Sequence, residues 1–210
     1  TGKEPWSRAK PSNDADNSDF PTPAYKPPAG LHHDMNATEL LDSVRDDNET
    51  ALSRLGSSKS LYAATGGEME ADAVLRAAAD AEYAAARTFD QWADSETHEG
   101  ARDAFETTAG EEDDHYETVA GKLGDYDAGD DPGAMQSFLR GLESTPARAG
   151  GLLGRLLATE KSKEQLTGFF VGQADPQTAQ LFRDLKGDLD GQRERTLALL
   201  DSVCESDDDW

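Results

Sequence analysis

A glutamate and a histidine three residues apart, in Glu112-Asp113-Asp114-His115, are the first residues whose types and spacing point to chemistry. On a helix this spacing puts both side chains on one face. Histidine is scarce in the chain, with four in all, so the pair carries information that one more glutamate would not. The face itself is apolar. Ala101, Phe105, Thr108, Glu112, His115 and Val119 advance in alternating steps of four and three, as a stripe turned toward a core does. A second stripe, Leu75, Ala79, Glu82, Ala86, Phe89 and Ala93, has Glu82 as its one charged member. A carboxylate unpaired in a core is costly. Three ligand-type groups at core positions therefore ask for a common partner, and a divalent metal satisfies all three at once. Two alternatives stay open. The three groups can hydrogen-bond one another, with a protonated carboxyl or a buried water between them, or the stripes can be rotated so that the acids face solvent.

The elements that must position these groups are helices. Asn36 and Glu39 form a capping pair ahead of a run marked by Leu41, Val44, Leu52 and Leu55, which Gly56 stops. A short segment at 58–64 is closed by Gly66-Gly67. Four long helices are expected at 68–94, 98–123, 147–172 and 176–203. Gly124 ends the second, and a short helix fits at 134–142, after the Asp130–Gly133 linker. Pro146 and Pro176 sit where first-turn prolines belong. No segment of useful length alternates with the period of a strand. The fold class is therefore all-α: a four-helix bundle with an additional N-terminal helix pair and an extended N-terminal tail. Residues 1–34 read as a Pro-rich extended or disordered tail, 35–66 as an N-terminal helical segment, 67–203 as the bundle and 204–210 as an acidic C-terminal end.

The third long helix repeats the first at an offset of 78, which turns Leu153, Leu157, Glu160, Glu164, Thr167 and Val171 inward. The fourth repeats the second at an offset of 77. Phe105 then matches Phe182, but Glu112 matches Leu189 and His115 matches Gln192. Two helix pairs, with a Glu on the first helix and Glu-x-x-His about 30 residues later, resemble the ferritin-like di-iron carboxylate proteins. Ala81-Glu82-Tyr83, the Phe89 and Trp92 pair, and Ala109 to Tyr116 are most similar to the rubrerythrin branch. The segment from Leu55 to Tyr62 resembles its small halophilic-archaeal members. The resemblance covers roughly 68–203. It implies a ferritin-like bundle in which Glu82, Glu112 and His115 hold a metal, with Glu160 reaching from the third helix and Glu164 supplying a further oxygen. Leu189 and Gln192 leave no ligands for a second ion. The expectation is at most one iron, manganese or zinc ion, in oxidative-stress or metal handling with weak oxidase or peroxidase chemistry. The alternative is a metal-free scaffold or interaction module with no cofactor.

Composition narrows the classes. Asp and Glu number 43 against 20 Lys and Arg, a formal net charge of −23. Such a surface repels phosphate backbones and anionic lipid, so neither nucleic acid nor membrane is an expected partner. It matches proteins of multimolar salt, where dense carboxylates hold hydration and salt screens their repulsion. No apolar run suits a membrane span, and 1–29 has no apolar core of the signal type, so a cytoplasmic protein is expected. Met35, just before the helical pattern, would make a plausible alternative start. A single cysteine, Cys204, excludes an internal disulfide and the Cys-rich iron module of classical rubrerythrins. Trp6, Phe20 and Tyr25 in the tail suit docking on a protein partner, and the long helices suit a homo-oligomer. His32-His33-Asp34 is a weak metal candidate, and His98 reads as a surface residue of a first turn.

Overall fold

The computed structural model describes residues 35–206 and 208–210. The readings made for residues 1–34, including Trp6, Phe20, Tyr25 and His32-His33-Asp34, lie outside the described residues. The described residues form eight helices and no strand. The short ones are α1 (Ala37–Asp47), α2 (Glu49–Leu55), α3 (Ser58–Ala64) and α6 (Gly133–Arg140). The long ones are α4 (Ala71–Ser95), α5 (Glu99–Ala120), α7 (Thr145–Gly172) and α8 (Pro176–Val203).

The starts and stops have local causes. Asn36 and Glu39 close a reciprocal capping box at the head of α1. The run expected up to Gly56 is instead two helices. Asn48 breaks it, its side-chain amide donating to the Val44 carbonyl at 2.9 Å and so competing with the helical ladder. Gly67, at φ 97°, turns the chain out of α3 where an added Cβ would meet the Tyr62 hydroxyl oxygen at 3.0 Å. His98 is not a first-turn residue but the N-cap of α5, its Nδ1 accepting from the Ala101 N–H at 3.1 Å. Glu96 ties the α4–α5 turn to the head of α7. Its carboxylate accepts from the Thr97 and His98 amides, from the Thr145 hydroxyl and from Arg148.

α4 packs along α5 and α7 along α8, and the two hairpins meet through α5 with α8 and α4 with α7. Two apolar clusters fill the space between them. One gathers Phe89, Trp92, Phe105, Leu152, Leu156 and Leu200. The other gathers Val74, Val119, Leu166, Phe170 and Phe182. Each long helix runs from one cluster to the other. Because α4 leaves the second cluster where α7 enters it, these two helices are antiparallel, and so are α5 and α8. The chain therefore has to return along the bundle between α5 and α7, and the 121–144 segment with α6 makes that crossover.

Candidate functional site: an ionic layer between two apolar clusters

The structure brings Glu82, Glu112 and His115 together. All three are buried, and one potential ligand atom from each lies within 4.8 Å of the others. Glu82 falls on α4 between Ala79 and Ala85, and Glu112 and His115 fall on α5 between Ala109 and Val119. Each is thus at the level where one apolar cluster gives way to the other.

Glu160 and Glu164 are not part of this group. Glu164 is paired with Lys186 at 2.6 Å and Lys161 at 3.1 Å, on the outer side of α7. Glu160 lies 3.9 Å from Lys186 and 4.0 Å from Arg45, beside a surface cleft. Leu153 and Leu157 are buried as the sequence pattern suggested, but beyond them the inward stripe of α7 runs one residue earlier. Leu152, Leu156, Lys163, Leu166 and Phe170 are buried along it, while Val171 is 54% exposed. In this register α4 matches α7 at an offset of 77, the same that relates α5 to α8. Glu82 then matches Thr159, and the buried residues Arg155 and Lys163 lie one turn to either side of it.

Those two cations face the two carboxylates. Arg155 donates from both terminal nitrogens to Glu112, at 2.8 and 2.6 Å, a bidentate fork. Lys163 donates to Glu82 at 2.6 Å, and Arg155 approaches the other Glu82 oxygen at 3.8 Å. Gln192 on α8, the counterpart of His115, donates its amide to Glu112 at 2.9 Å. The Arg155 guanidinium also lies 5.3 Å from the centre of the Phe89 ring. Two carboxylates and two cations thus form a layer of no net charge. His115 sits at its edge. Nε2 is 3.3 Å from Asp188, whose side chain is largely exposed. Nδ1 is buried with no hydrogen-bond partner, 4.0 Å from Glu112.

The electrostatics follow from these contacts. Burial alone would raise the Glu112 carboxyl, but the Arg155 charge and its paired hydrogen bonds hold it far below the ordinary carboxylate range. Burial pushes the Glu82 carboxyl up, against the pull of Lys163 and with the Glu112 charge adding to the rise. Arg155 is held more firmly protonated, because Glu112 and then Glu82 outweigh its burial.

The two carboxyls give stability opposite slopes with pH. Stabilisation from Glu112, depressed in the fold, is complete above its ordinary value of 4.5 and is lost as pH falls below it. Glu82, raised in the fold, binds its proton more tightly when folded, so stability rises as pH falls through the interval above 4.5. Urea unfolding from neutral pH downward should therefore show a shallow gain followed by a loss. Glu82→Gln should abolish the gain and keep the loss; a gain that survives would place its source elsewhere.

The residues as placed do not fit a divalent ion. Both Glu112 oxygens and one Glu82 oxygen already accept from Arg155, Lys163 and Gln192, the other Glu82 oxygen lies 3.8 Å from Arg155, and these two positive charges oppose a third beside them. Sequence reasoning missed Arg155 and Lys163. The signal was present: Arg155 interrupts the apolar run from Leu152 to Ala158, and Lys163 lies two turns further along the same face. Among the described residues, no helix is long and apolar enough to cross a membrane. Comparison of the chain with protein-family models, with curated proteins and with solved structures finds no match.

Proposed function

We propose that this chain is a ferritin-like helical bundle in which Arg155 and Lys163 take the electrostatic place of a metal, and that it works as a metal-free scaffold for protein contacts. The observation that carries the reading is the bidentate Arg155 pair with Glu112, completed by Lys163 on Glu82. Two features support the ferritin-like frame. One is the pair of hairpins joined by a single long crossover. The other is the rubrerythrin-like spacing of Glu82, Glu112 and His115. The ligand positions of the second half hold Thr159, Leu189 and Gln192, which cannot replace a Glu and a Glu-x-x-His set. Oxidase or peroxidase chemistry has no place in this reading.

The competing reading is one iron, manganese or zinc ion at Glu82, Glu112 and His115, favoured by the 4.8 Å convergence of their ligand atoms. It requires both cations to leave the layer. Elemental analysis of protein purified in high salt, without chelator or affinity nickel, separates the two. The scaffold reading expects no stoichiometric metal in the wild type. It also expects Arg155→Met combined with Lys163→Met, which uncovers both carboxylates, to raise zinc affinity at least about tenfold, with Glu82, Glu112 and His115 as ligands. About one ion per wild-type chain, lost on His115→Ala, would overturn the scaffold reading.

A further inference from the structure

α6 stands between an apolar groove and an acidic cleft. On its α7 side, Phe138, Met135 and Leu142 line a groove of about 400 Å³, and Phe138 is 68% exposed. Gly150 and Gly154 leave the floor of the groove open, since an added Cβ at either would meet no atom within 4 Å. No carboxylate lines it. Carboxylates rim it instead. On the α4 side of α6, Asp90 and Asp94 share a cleft with Asp130 and Asp131, just ahead of the α6 N-cap. Glu143 follows the last turn of α6. All five acids are exposed. Asp90 lies 3.6 Å from Arg87, and the other four make no ion pair among the described residues. The arginines of this region do not offset them, because they are turned to internal partners. Arg140, which also lines the cleft, donates to the Thr88 hydroxyl and the Ala84 carbonyl, Arg148 to Glu96 and the Leu142 carbonyl, and Arg155 to Glu112.

We propose that this face binds a segment of a partner protein in which one large apolar side chain stands among lysines or arginines. The apolar side chain enters the groove over Gly150 and Gly154, and the cations meet Asp130 and Asp131 at the head of α6 or Glu143 at its end. Charge selects this occupant. Exposed carboxylates without ion-pair partners attract a cationic segment and repel an acidic one, and a second copy of a chain at −23 is of the repelled kind. Size sets how much of the segment enters. A groove of this volume takes one or two large side chains and not a whole helix. The exposed Phe138 ring, a liability for solubility on its own, then closes over the apolar side chain or lies against a guanidinium. The inference deepens the scaffold reading and rests on it, naming the partner's chemistry. Failure of the two is separable, because metal content tests the one and peptide affinity the other.

The test is calorimetric titration of the full chain with the end-blocked peptide Lys-Lys-Ala-Trp-Ala-Lys-Lys and two counterparts, one with Glu for every Lys and one with Ala for Trp. Helicity is followed by circular dichroism. At about 0.1 M salt the first peptide should bind at least about tenfold more tightly than either counterpart. Gly154→Gln fills the floor and should weaken that binding at least about tenfold with helicity unchanged. Asp130→Asn with Asp131→Asn should narrow the preference over the Glu peptide and leave the preference over the Ala peptide. Asn at 131 keeps an oxygen for the Gly133 N–H, which Asp131 accepts at 2.9 Å. No binding, or equal affinity for the first peptide and either counterpart, overturns the proposal. So does binding that Gly154→Gln leaves intact, which sets the contact on another face. A wild type that sediments as a dimer and becomes monomeric on Gly154→Gln also overturns it and assigns the groove to a second copy. Binding that appears only after removal of residues 1–34 does the same and assigns the groove to that segment.

Discussion

Replacing Arg155 by Met is expected to destabilise the fold by about 3–5 kcal/mol at neutral pH. The lost contact is a bidentate pair at 2.8 and 2.6 Å, with both partners buried. The pair itself is not worth that much, since taking two charges out of water offsets most of their attraction. The cost lies in what is left behind: Glu112, buried, with only the Gln192 amide and a more distant Lys163 to stabilise its charge. Two checks follow. The penalty should shrink as pH falls, because an unpaired buried carboxyl has a raised pKa and the folded state then gains a proton. Removing the acid as well, in Arg155→Met with Glu112→Leu, should recover most of the loss, since apolar replacement of a buried pair is often neutral or better. Urea unfolding of the single and double variants decides. A single variant that loses less than about 1 kcal/mol, or a double variant no better than the single, would mean that the layer is not coupled as its geometry implies.

Trp92→Ala should cost a similar amount, about 3–5 kcal/mol, for a different reason. Trp92 is fully buried in the first apolar cluster. Its ring lies 5.4 Å from Phe89, edge to face, and 5.1 Å from Phe105. The Arg148 guanidinium lies 5.9 Å from its centre. The indole N–H has no hydrogen-bond partner, so the loss is one of packing and cavity formation. The penalty should therefore stay constant from neutral to mildly acidic pH, unlike that of Arg155→Met. A Trp92→Ala penalty that tracked pH would show that the first cluster and the charged layer respond as one unit.

How far the sequence could be read differs between the halves. On α4 and α5 the inward stripe consists of Ala, Phe and Thr with few rivals, so Glu82, Glu112 and His115 stood out against it, and all three are buried. The all-helical class, seven helical segments, one of which the structure divides in two, and the capping box were legible from period and punctuation. α7 carries two adjacent apolar columns, Leu152 with Leu156 and Leu153 with Leu157, and all four leucines are buried. Either column can be continued, so periodicity could not choose between them. The acids at 160 and 164 suggested ligands and drew the choice to the column of Leu153 and Leu157, leaving the cations at 155 and 163 out of account. Their partners settle the choice, and those lie 43 and 81 residues away in the chain, beyond any local pattern. The break of α1 from α2 at Asn48 was missed for the opposite reason. It turns on one side-chain hydrogen bond that hydrophobic spacing does not register.

The charged layer also acts on how the two hairpins find each other. Each hairpin is closed by a three-residue turn and can form from neighbouring sequence. Their docking is less constrained, because Ala- and Leu-rich faces offer similar contacts when one slides along the other. A slip of one helical turn, about 5.4 Å, would keep much of the oily contact. It would also carry Arg155 and Lys163 past Glu112 and Glu82 and strand four charges in the interior. The layer thus functions as a vernier, rejecting misaligned assemblies that the apolar residues alone would accept.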